Sequence, residues 1–162
     1  MFQEYLAASY LARQNDPLKI RELIERQYTN WREVCVLTGD VLFETNRTQM
    51  LWKLLDVLSD AGISQPKPIE ISNWRSIWLA ASILVEQKLQ LNSLPADQKS
   101  VCEKLRSSFI TLLGTSHILL PKERAEVGLA LSMLGDIRSG VCIVDGKPEI
   151  AWCRIPAGDF TM

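Results

Sequence analysis

The 162 residues are short of the features that announce specialised chemistry. There is one histidine, His117, with no Cys, Asp or Glu within four positions of it, and the four cysteines, Cys35, Cys102, Cys142 and Cys153, form no C-x-x-C pair. A zinc site gathers three or four such ligands at short spacings, so no metal is expected. The cysteines read as reduced structural thiols, although Cys142 and Cys153 are close enough to meet across a turn. Positive charge is not in excess either: 18 Lys and Arg stand against 19 Asp and Glu, a net of −1. Without a basic field to attract phosphate backbones, nucleic acid is not an expected partner. No apolar run reaches the roughly 18 residues of a membrane helix, and the opening Met1-Phe2-Gln3-Glu4-Tyr5 lacks the basic start of a secretion signal. The chain therefore reads as cytoplasmic, with no membrane partner.

Catalytic patterns are missing as well. No G-x-x-x-x-G-K-[ST] loop occurs, so a nucleotide would find neither the cradle of backbone N–H groups nor the phosphate-binding lysine. No G-x-S-x-G elbow is present, and Ser116 beside His117 makes neighbours in sequence, not partners in space. Glu123 and Glu126 lie one helical turn apart, but Lys122 and Arg124 alternate with them as on a solvated helix face, and they are assigned to the surface. The expectation is a protein that is not an enzyme, with no catalytic residue, no cofactor and no identifiable small-molecule substrate.

What the sequence does have is hydrophobic residues, 47% of the total, arranged with helical periodicity over most of its length. Phe2, Tyr5, Leu6, Ser9 and Tyr10 trace one stripe as far as Asn15, and Asp16-Pro17 is a cap followed by a first-turn proline for a short helix to about residue 27. Asn30 with Glu33, and Asn46 with Gln49, suggest the starts of two further helices, the first running to Glu44 and the second to Gly62. Pro66 and Pro68 make 63–71 a loop. From Ser72, Trp74, Ile77, Trp78, Ala81, Leu84 and Val85 form one apolar face, with Leu79 and Ile83 on another, so that helix is expected to be buried on two sides. Pro95 precedes a helix with the stripe Val101, Cys102, Leu105, Phe109, Leu112 and Leu113. Pro121 opens the last, on which Ala125, Gly128, Leu129 and Ser132 make a small-residue face suited to close packing, before Gly135. Beyond it Gly140, Asp145-Gly146 and Pro148 are turn residues, and Glu149 to Ile155 is the stretch expected to extend as a strand, either mobile or paired with Val141-Cys142-Ile143-Val144 across the Asp145-Gly146 turn in a marginal two-stranded hairpin.

One internal echo stands out. Asn30-Trp31-Arg32 recurs as Asn73-Trp74-Arg75 at an offset of 43 residues, and Val34, Val36 and Leu42 meet Ile77, Leu79 and Val85 at that offset, although the third position falls on His117. A period of this length suits stacked helix pairs. The fold is therefore read as all-α: a helical-repeat-like array of the HEAT or armadillo type, or an irregular bundle, over residues 1–135, followed by a short extended tail over 136–162. Trp31 and Trp74 are expected in the core.

Two segments carry a resemblance to known families. Phe2-Gln3-Glu4-Tyr5-Leu6-Ala7-Ala8, with Tyr10-Leu11-Ala12, resembles the F-Q-E-Y-x-A-A signature found just downstream of the nucleotide-binding core in NACHT-type signal-transduction ATPases. Leu18 to Leu37, through Trp31-Arg32-Glu33-Val34, is similar to the helices that follow there. At the other end Leu120-Pro121-Lys122-Glu123-Arg124-Ala125-Glu126, then Leu134-Gly135-Asp136, then Trp152 with Ile155-Pro156-Ala157-Gly158-Asp159-Phe160-Thr161-Met162, resembles the approach to a formylglycine-generating-enzyme-like (sulfatase-modifying-factor) domain and its W-x-x-I-P-A-G-x-F-x-M first strand. The chain reaches none of that family's catalytic cysteines or metal ligands, so Cys153 inherits no role. Together the two resemblances imply a connector, a non-enzymatic scaffold or sensor segment whose work is protein–protein contact. Phe2, Tyr5 and Tyr10, which would pack against the ATPase half, are the candidate partner-binding residues. The rival implication is an N-terminal extension of a formylglycine-generating-type oxidoreductase, its catalytic domain encoded downstream.

Overall fold

The computed structural model describes residues 2–60, 71–87, 94–115, 119–150, 152 and 154. Among them the chain is all-α: α1 (Phe2–Gln14), α2 (Pro17–Arg26), α3 (Tyr28–Glu44), α4 (Thr48–Ser59), α5 (Ile71–Gln87), α6 (Ala96–Gly114) and α7 (Pro121–Leu134), followed by a small hairpin of β1 (Ile143–Val144) and β2 (Lys147–Pro148). The expected loop over 63–71 and the expected stop at Gly62 fall almost entirely outside the described residues.

Helix ends follow from a few identifiable groups. Asp16 caps α2 as expected, its carboxylate accepting the Lys19 N–H at 3.0 Å with Pro17 in the first turn. Asn30 does not cap α3: that helix opens at Tyr28, three residues earlier than the Asn30–Glu33 pattern suggests. Gln27 is both the last cap of α2, donating its N–H to Leu23, and the first of α3, its carbonyl accepting from Asn30 and Trp31. A single extended residue turns the chain there, and no side-chain cap is used. Asn46 is likewise not an N-cap. It sits at φ 55, just past the end of α3, where its N–H donates to Phe43 and that of Arg47 donates to Leu42 at 2.8 Å. This pair of bonds closes a helix C-terminus around a left-handed residue, a conformation asparagine tolerates.

The helices form two layers. α1, α3, α5 and α7 lie side by side in one, and α2, α4 and α6 in the other, while successive helices join the layers. α5 touches α2, α3, α4, α6 and α7, which is why more than one of its sides is apolar: Trp74, Ile77, Leu79, Ala80, Ala81, Ile83 and Leu84 are all buried. The 43-residue echo has a structural counterpart, since α3 and α5 are both 17 residues long and both ends of α5 lie 43 residues beyond those of α3. The next pair departs from it, α6 being 19 residues to the 12 of α4. Trp74 is buried as expected, but Trp31 at the equivalent position is only partly so, because its neighbours are the short helices at one edge of the array.

Two further expectations are corrected. On α7 the inward face is Val127, Ala130, Leu131 and Leu134, while Ala125, Leu129 and Ser132 are exposed and nothing lies within 4 Å of a Cβ placed on Gly128. Both sets have helical spacing, and the one with the larger side chains removes more apolar area from water when α7 packs on α5 and α6. In the tail, Glu149 and Ile150 are not strand. Pairing instead joins Val144 to Lys147 and Ile143 to Pro148 across Asp145-Gly146, both at positive φ as a tight hairpin requires. The remainder of the expected strand, apart from Trp152 and Arg154, lies outside the described residues.

Candidate functional site

The most exposed apolar ground on the helical body is α1, the edge helix of its layer. Ala8, Leu11 and Ala12 turn inward, and the two alanines let α1 approach α3 closely. Phe2 is 76% exposed, Tyr5 48% and Tyr10 63%, so the three candidate residues stand on the outward side of one helix. Leu6, at 52%, stands among them. Residues 2, 5, 6 and 10 recur every three or four positions, hence the common face. α1 is therefore apolar on two sides, one filled by the protein's own core and the other by nothing among the described residues.

Tyr10 also borders a hollow of about 250 Å3 between α1, α2 and α3, lined by Ala7, Leu11, Leu23 and the partly buried Trp31, with Gln14, Asp16 and Lys19 as its polar members. The outward stripe thus runs into a shallow aromatic recess. Leu18 on α2 is a further exposed apolar residue, 65% exposed. The position of α1 is held by Arg47, whose guanidinium donates to the Ala12 carbonyl and the Asn15 side chain at the end of the helix. A rigid aromatic surface of this kind buries large area at low entropic cost, and the tyrosine hydroxyls keep a polar handle.

Other candidate groups resolve to structural roles. Cys35 is buried, its thiol pushed up to about 12 by desolvation, and Cys102 is raised by burial. Both are inert at neutral pH. Cys142 donates to the Glu149 carboxylate at 2.8 Å, which raises the thiol and lowers the acid, and Glu149 also accepts the Gly140 N–H at 3.1 Å. That latch ties the hairpin to its lead-in. Cys153, Ser116 and His117 lie outside the described residues. Glu126 is not a solvated surface residue: its carboxylate accepts the Trp78 indole N–H at 2.8 Å. Among the described residues no three His, Cys, Asp or Glu side chains gather as metal ligands, and no helix is long and apolar enough to cross a membrane.

Comparison with protein-family models, curated proteins and solved structures finds no match to the chain.

Leu6 and Leu18 were not singled out by sequence reasoning. Leu6 was legible, since it lies on the same helical stripe as Phe2 and Tyr10; Leu18 was not, because a leucine in an amphipathic helix is assigned inward unless its neighbours are known.

Proposed function

We propose that this chain is a non-enzymatic helical scaffold or sensor segment, cytoplasmic, that works by protein–protein contact through the outward face of α1. It is similar in role to the connector between a NACHT signalling ATPase and a formylglycine-generating-enzyme-like domain. The observation that carries the reading is the second apolar face of α1. The core beneath it is complete, so folding does not require Phe2, Tyr5, Leu6 and Tyr10 to be apolar, and contiguous exposed aromatics of this kind mark interaction sites more than isolated ones do. The tail supports the same reading, since Ile137, Val141, Ile150 and Trp152 are exposed where a following domain would cover them. The stop of α7 at Leu134 and the positive φ of Gly135 support placing a boundary between residues 1–135 and 136–162.

The test is the coding DNA on either side of these 162 codons. A P-loop motif upstream and the remaining strands of a formylglycine-generating-type domain downstream are the expected finding; unrelated genes on both sides would contradict it. Calorimetry with ATP should show no binding, because no phosphate-binding loop occurs in the chain. Micromolar affinity would overturn the non-enzymatic reading.

A further inference from the structure

A second depression lies away from the outward stripe of α1. A cavity of about 460 Å3 opens between α3, α5 and the start of α7, with Val36, Val85 and the exposed Leu120 as its accessible apolar lining over the buried Trp78 and Leu79. Four carboxylates surround it, Glu33 from α3, Glu86 from α5 and Glu123 and Glu126 from α7, against two cations, Arg32 and Lys122. Three of the carboxylates are already engaged, Glu86 through a hydrogen bond shared with Asp40. Glu126 accepts from the Trp78 indole and, at 3.5 Å, from the Ser82 hydroxyl, and Glu123 accepts the Leu120 N–H at 2.8 Å in the first turn of α7. Glu33 and Glu86 form no ion pair among the described residues. Beside Glu86, across the α3–α5 contact, Asp40 accepts the Gln87 side-chain amide. Burial, followed by like charge from its neighbours, holds the carboxyls of Asp40 and Glu86 above the ordinary range, with Glu33 acting on both, Glu44 on Asp40 and Glu126 on Glu86. In a chain of net charge −1, uncompensated negative charge is thus concentrated at the edge of one apolar groove.

We propose that this groove docks a cationic amphipathic segment of a partner protein, its apolar side chains on Val36, Val85 and Leu120 and its lysines or arginines against Glu33 and Glu86. The argument is complementarity of both kinds at once. An apolar floor lowers the local dielectric and strengthens a charge pair formed over it, and a cation there relieves the mutual repulsion of Asp40, Glu86 and Glu33. Charge at a rim also steers association and rejects acidic partners. A phosphate-bearing polymer or membrane would meet the wrong sign. The inference does not rest on the α1 reading, and either surface can fail alone.

The experiment titrates the whole chain against a fluorescently labelled 14-residue Leu/Lys amphipathic peptide, followed by anisotropy, with the Leu/Glu counterpart of the same pattern as control. The Lys peptide is expected to bind and the Glu peptide not. Glu33→Gln with Glu86→Gln should weaken binding at least tenfold without lowering the melting temperature. Glu22→Gln with Glu25→Gln, on the distant face of α2, should leave binding unchanged. The proposal is overturned if the Lys peptide does not bind, if Glu33→Gln with Glu86→Gln binds it as tightly as the wild type, or if the α2 pair weakens it equally, which would show general electrostatic attraction.

Discussion

Gly39 sits where α3 meets α5, and a Cβ placed on it would lie 2.8 Å from Cγ2 and 3.1 Å from Cγ1 of the buried Ile83. Alanine in a helix interior is worth about 1 kcal/mol over glycine, while overfilling a packed contact costs about 1–3 kcal/mol. The atoms met are the branch of a β-branched side chain and cannot swing aside, so overlap decides the sign. Gly39→Ala should lower stability in urea unfolding. In an Ile83→Ala background, where the overlap is gone, the same change should raise it by up to about 1 kcal/mol; a loss in both backgrounds would refute the close contact. A second residue-scale expectation concerns pH. Because the folded-state pKa values of Asp40 and Glu86 are raised, the folded chain holds more protons than the unfolded one just above the ordinary carboxylate range of about 4. Their contribution is fully present below that range and is lost as pH rises through the raised values. Glu86→Gln removes part of that loss, so its urea midpoint should exceed the wild type's at pH 7 and converge toward it near pH 4. The gain should stay below about 1 kcal/mol, since Glu86 is largely exposed and screened. A variant less stable than the wild type at pH 7 would contradict this.

At the scale of the element, Gly128 measures how well the α7 register is understood. It lies in a helix, has no positive φ, and a Cβ there would meet nothing within 4 Å. Gly128→Ala should therefore stabilise the chain by about 0.5–1 kcal/mol in thermal or urea melts. Destabilisation would mean that the small-residue face packs after all. The sequence pattern 125, 128, 129 and 132 is as helical as 127, 130, 131 and 134, and periodicity alone could not choose between them; contact with α5 and α6 did. Caps were legible where one side chain had one role, as at Asp16. They were not legible at Asn46, because asparagine serves either end of a helix, or at Gln27, where the backbone alone makes the corner. The hairpin turn could be seen in Asp145-Gly146, and its first arm in Val141 to Val144, but not that the second arm would pair at Lys147 and Pro148, ahead of Glu149, since two-residue strands have no alternation to read.

For the whole molecule, helical content was visible in the periodicity, and the Asn-Trp-Arg echo falls on two 17-residue helices, while the side-by-side order of α1, α3, α5 and α7 rests on contacts between distant residues that no local pattern encodes. The same holds for the groove between α3, α5 and α7: Glu123 and Glu126 looked like a solvated pair until Trp78, 48 residues away, was found donating to one of them. Phe2, Tyr5 and Tyr10 were picked out on a resemblance and found exposed on one face. This face is proposed to be covered by protein. Sedimentation velocity across a wide range of concentration tests it most directly, comparing the wild type with Phe2→Ser/Tyr5→Ser/Tyr10→Ser. The expected result is concentration-dependent association of the wild type, abolished in the triple variant with its helical circular dichroism unchanged. A wild type that remains strictly monomeric at the highest concentration, or a triple variant that associates equally, would contradict the account.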